Sequence, residues 1–199
     1  GVLMLPLLWM GVANAAALLA AHELLRRIRT DQGSVNAVLF ILLHLGIVSA
    51  AVLLSLLAGI FTATALGVAG TATLMLLLGL GAHRRIPTFR RPDLGAATAI
   101  VGAVVAIKLL LQAWFFAPVA PDVLGYHLPK VAEWVAHGRM TLELGSDFRS
   151  AFPAGFELVE AWWAVFLHHD VLIEIAGIEF MALAAAAVYA MGRQMGLSE

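Results

Sequence analysis

VNAVLFILLHLGIVSAAVLLSLLAGIFTATALGVAGTATLMLLLGLGA, the run from Val35 to Ala82, is 48 residues long and contains no Asp, Glu, Lys or Arg. A helix crossing a bilayer core needs about 20 apolar residues. The run is therefore too long for one crossing and fits two that fold back on each other. The reversal is expected within Gly59–Gly70, where Gly, Thr and Ala interrupt the Leu-rich segments. No soluble domain has room for such a stretch, so it decides the fold: all-α and transmembrane.

Working outward, the whole chain agrees. It is 62% hydrophobic and 13% charged, against roughly 45–50% and about 25% in soluble domains. Val2–Leu25 supplies a first span, interrupted by Pro6 and Asn14. Leu94–Ala117 supplies a fourth and ends in Trp114-Phe115-Phe116, aromatic residues of the kind that mark a membrane–water boundary. Val171–Met191 supplies another. Ala151–His168 is short for a span and carries Glu157 and Glu160, which are costly in hydrocarbon. The expected architecture is a polytopic all-α protein of five or six spans. Residues 1–93 hold three helices with basic loops. Residues 94–199 hold a span at 94–117, a polar loop at 118–152 and helices at 153–168 and 171–192.

Arginines orient these spans. Arg26, Arg27 and Arg29 follow the first, and Arg84, Arg85, Arg90 and Arg91 follow the third. The positive-inside rule places both loops in the cytoplasm, and two intervening helices make the assignments consistent. Loop 118–152 is then extracytoplasmic. If 151–168 crosses, the last helix ends outside with Arg193; if it only dips in, Arg193 is cytoplasmic. A net charge of −1 with no basic stripe excludes nucleic acid as a partner. The absence of cysteine excludes disulfides, thiolate metal sites and a Cys nucleophile.

Most of the candidate chemistry lies in the loop. Pro121-Asp122 can start a helix, with Asp accepting first-turn N–H groups. Leu128, Val131 and Val135 share one face with Trp134 beside them, Lys130, Glu133 and His137 are expected to point elsewhere, and Gly138 is a stop signal. This describes a short amphipathic helix lying in the membrane interface. Pro129 is tolerable there because it falls in the first turns.

The set Asp122, Tyr126-His127-Leu128-Pro129-Lys130-Val131, Trp134, Gly138, Asp147-x-Arg149 and Pro153-x-Gly155-x-Glu157 resembles the first extracytoplasmic loop of GT-C glycosyltransferases. The likeness is to the branch of protein O-mannosyltransferases and lipid A aminoarabinose transferases, which includes many bacterial members. It covers about Gly95–Gly196. The resemblance implies an enzyme of a bacterial-type inner (plasma) membrane that moves a sugar from a polyprenyl-phosphate carrier to an acceptor, with inversion. It implies Asp122 as the catalytic acid or base, or as part of a divalent-metal site, with Asp147 as second acid. Tyr126, His127, Lys130, Arg149 and Glu157 become the substrate-binding residues, where guanidinium and ammonium groups suit a phosphate. A carboxylate suits Asp122's role because it can accept a proton in the transition state when partial burial raises its pKa. The resemblance also favours a crossing for 151–168. Two departures stand beside it. Three further spans precede the one that leads into the loop here, and such enzymes continue through many more helices than are found before Glu199. The rival expectation is a non-catalytic transmembrane subunit derived from this fold, packed against other membrane subunits. A small transporter is a third.

Plainer readings accompany each residue. Asp122 also serves as a helix cap, and Asp147 with Arg149 as a surface ion pair. Tyr126, His127 and Trp134 equally anchor the loop among headgroups. His168-His169-Asp170 reads as a polar turn. Within the spans, His44 is expected to hydrogen-bond a neighbouring helix, Asn14 to join helices, and Lys108 to snorkel or to pair with Glu174 or Glu179. Gly67-x-x-Gly70 signals close helix packing.

Overall fold

A computed structural model describes residues 4–82, 96–115, 127–140, 154–167 and 170–196. All its regular elements are helices: α1 (Met4–Ile28), α2 (Gly33–Leu57), α3 (Ala63–Gly79), α4 (Ala96–Phe115), α5 (Leu128–His137), α6 (Gly155–Leu167) and α7 (Ile175–Gln194). A 3-10 turn at Asp170–Leu172 leads into α7. Among the described residues three helices are long and apolar enough to cross a membrane: Met4–Ile28, Gly33–Leu57 and Asp170–Gln194. The protein is an integral membrane protein. Ala63–Gly79 and Ile100–Gln112 are shorter apolar helices.

The long uncharged run folds back as expected, in a tighter turn than its glycines indicated. α2 ends at Leu57, Gly59 adopts a left-handed φ of 69°, and the Thr62 hydroxyl accepts a hydrogen bond from Ala65 N at 3.1 Å to start α3. Gly67 and Gly70 lie inside α3 and serve helix approach instead of chain reversal. A Cβ on Gly70 would stand 2.8 Å from Ala13 Cα of α1, and one on Gly67 would collide with the Trp9 ring. Close packing at this pair is the expected role of small residues between membrane helices. α1 thus packs tightly on α3 and also on α2, whereas α2 and α3 diverge beyond their turn.

α7 runs antiparallel to α2. Gln194 near its end donates to Gln32 Oε1 at 3.3 Å, just before α2 begins. Arg193 therefore joins Arg26 and Arg27 at one end of the bundle, hereafter the arginine end. α6 has 13 residues and is about 20 Å long, well short of a hydrocarbon core of about 30 Å. By itself α6 is too short to span that core, and α7 returns to the arginine end, which agrees with the dipping alternative for 151–168. α6 buries Glu157, Val159, Glu160, Ala161, Trp162, Ala164, Val165 and Phe166, the profile of a core helix rather than a lipid-facing one.

The core gathers around α6. Ala13 and Ala17 of α1, Val48, Val52 and Leu56 of α2, Phe61 of the α2–α3 turn, Val131 and Trp134 of α5, and Trp162, Val165 and Phe166 of α6 form one cluster. Trp162 stands edge-on to Phe166, centroids 5.6 Å apart. α4 is different: it meets the rest mainly at the turn Asp170–Leu172, and Ile100, Val104, Ile107, Leu111 and Phe115 are all exposed.

Candidate functional site

α5 is fixed at the end of the bundle opposite the arginines. Pro129 sits in its first turn, and Gly138 closes it at φ 65°, a left-handed position that glycine takes at no steric cost. That cap carries tertiary bonds. Phe61 N donates to Gly138 O at 2.9 Å, and Met140 N to Leu56 O at 3.2 Å. The short helix is thereby stitched to the α2–α3 turn.

Its buried face comprises Lys130, Val131 and Trp134. The expectation that Lys130 points away from the apolar face is overturned. Lys130 precedes Trp134 by four residues, so the two share a face, and the core reaches up to cover both. Trp134, 3% exposed, is a core residue and not a headgroup anchor.

Lys130 Nζ reaches Glu157 Oε1 of α6 at 3.0 Å, and His127 Nδ1 lies 3.0 Å from the same oxygen. Glu157 is 1% exposed and Lys130 7%. Two charges this deep are tolerated only as a pair, since the loss of hydration exceeds what either recovers alone. His127 is the accessible member, its side chain 25% exposed. An accessible imidazole beside a buried ion pair is suited to meeting a phosphate.

One turn further along α6, Glu160 is 4% exposed, and its Oε2 has no hydrogen-bond partner. Burial, reinforced by the negative charges of Glu157 and Glu174, pushes its carboxyl up to about 7. Burial disfavours the charged form, so this acid exchanges its proton near neutrality.

Sequence reasoning selected three of the described site residues, His127, Lys130 and Glu157, and the fold brings them together. Asp122, Tyr126, Asp147 and Arg149 lie outside the described residues, as do His168 and His169. Glu160 was noticed only as an expensive residue; its spacing of three from Glu157 signals that both occupy one helix face. Among the described residues no group of three or more His, Asp or Glu is arranged to hold a metal.

A second polar patch joins the helices elsewhere. His44 Nε2 of α2 lies 3.4 Å from Glu179 Oε1 of α7, and Trp163 Nε1 of α6 donates to Glu179 Oε2 at 3.4 Å. Asn14 receives Trp162 Nε1 at 3.2 Å while donating to Met10 O at 2.8 Å. His44 and Asn14 thus join neighbouring helices, as expected. Glu179 is engaged by His44 and Trp163, and Lys108 is exposed on α4. No protein-family model, curated protein or solved structure matches this chain.

Proposed function

We propose that this chain forms part of a membrane glycosyltransferase of the GT-C kind, moving a sugar from a polyprenyl-phosphate donor on the extracytoplasmic face. The observation that supports this reading is the meeting of Lys130 with Glu157 at 3.0 Å. They belong to separate pieces of the quoted motif, 27 positions apart, and their contact docks α5 onto α6. The docking lies at the end of the bundle away from Arg26, Arg27 and Arg193, which agrees with an extracytoplasmic loop under the positive-inside rule.

In this reading Asp122 is the base towards the acceptor and Asp147 the second acid. Lys130, already paired and buried, supports the loop and leaves the donor phosphate to His127 and Arg149. A divalent ion, if the reaction uses one, falls to Asp122. The test is transfer from polyprenyl-phosphate sugars in the complete native protein. Asp122→Asn is expected to abolish turnover while leaving the helical circular dichroism unchanged. Unaltered turnover would remove the assignment.

A second reading is a non-catalytic subunit of a larger membrane complex. It is favoured by the mutual neutralisation of Lys130 and Glu157 and by α4, whose exposed apolar surface is available to a neighbouring chain. Stoichiometric co-purification of other membrane proteins, with turnover indifferent to Asp122, would select it.

A further inference from the structure

The divergence of α2 and α3 opens a groove of about 810 Å³ at the arginine end, floored by α1. Leu18, Ala37, Phe40 and Leu74 contribute to its apolar walls, and Arg26 and Arg29 stand at its mouth. The shape follows from the packing already described. Gly67 and Gly70 draw α3 onto α1, the turn at Gly59 holds the near ends of α2 and α3 together, and none of the described residues closes the far ends. Arg26 reaches Glu23 through Nη1, at 2.9 Å from one carboxylate oxygen. Arg29 is exposed, and among the described residues no acid pairs with it.

We propose that this groove holds one anionic phospholipid from the leaflet at the arginine end. An acyl chain would lie between α2 and α3 over α1, and the phosphate would meet Arg29 and the outward nitrogens of Arg26. The long apolar walls match a hydrocarbon chain, and the guanidinium groups at the mouth match a negatively charged headgroup. A zwitterionic lipid would satisfy the walls and gain less at the mouth. A peptide segment is disfavoured, because the walls offer its backbone almost no polar partners.

The test uses the full chain in phosphatidylcholine nanodiscs doped with phosphatidylglycerol, followed by native mass spectrometry of the released protein. The unmodified protein is expected to carry phosphatidylglycerol out of proportion to the bulk. Arg26→Gln and Arg29→Gln should each weaken that preference about fivefold. Ala37→Trp, which fills the groove and spares the arginines, should lower retention of both lipids. Equal retention of the two lipids by the unmodified protein would overturn the proposal, as would a preference that survives Arg29→Gln. Arg26 also pairs with Glu23, so its variant can fail for structural reasons. Arg29→Gln is then decisive, since it breaks no ion pair among the described residues.

Discussion

The Lys130–Glu157 pair is the strongest single commitment in this molecule. Removing one member of a buried ion pair strands the other, at a cost of about 3–5 kcal/mol, whereas replacing both with apolar groups of similar size is close to neutral. Glu157→Ala should therefore lower the unfolding free energy in detergent by about that amount. Lys130→Met combined with Glu157→Leu should recover most of it. A double variant as unstable as the single would show that the pair holds more than itself. Glu160 makes a separate prediction. Its folded pKa is raised from 4.5 to about 7, so the folded state binds the proton more tightly than the unfolded chain. Its contribution to stability is unpenalised below pH 4.5, declines as pH rises towards 7, and is level above that. Glu160→Gln should flatten the fall in melting temperature between acidic and mildly alkaline buffer. An unchanged slope would mean that another group titrates there.

At the scale of elements, the two glycines of α3 and the glycine cap of α5 have different purposes, and sequence distinguished them only in part. Gly138 was legible as a stop because it follows an amphipathic decapeptide. Gly67 and Gly70 were legible as packing residues from their spacing, yet they also widened the expected turn, because a glycine in an apolar run looks alike in a reversal and at a contact. The surroundings decide: Ala13 and Trp9 of α1 come from far away in the chain. Gly70→Ala should destabilise the α1–α3 contact by about 1–3 kcal/mol through overpacking. Gly46→Ala, where a Cβ meets nothing within 4 Å, should leave stability almost unchanged. Equal effects at both positions would refute the packing account. α6 shows the same limit. Its acids and its shortness were plain, but only the contacts with α1, α2, α5 and α7 mark it as a buried helix.

For the whole molecule, hydropathy marks which helices are long and apolar enough to cross, and arginine placement which end they share. They do not place α5 and α6, whose positions depend on pairings between distant residues: Lys130 with Glu157, Phe61 with Gly138, Trp162 with Asn14. Those pairings put the candidate site at the end opposite the arginines, and the proposed function needs that end to be extracytoplasmic. The chain has no cysteine, so single cysteines can report sidedness against a clean background. Ala136, exposed on α5, and Asp31, exposed between α1 and α2, are suitable positions. In intact cells a membrane-impermeant maleimide should label Ala136→Cys directly and Asp31→Cys only after permeabilisation. The reverse pattern would place His127, Lys130 and Glu157 in the cytoplasm and contradict the account.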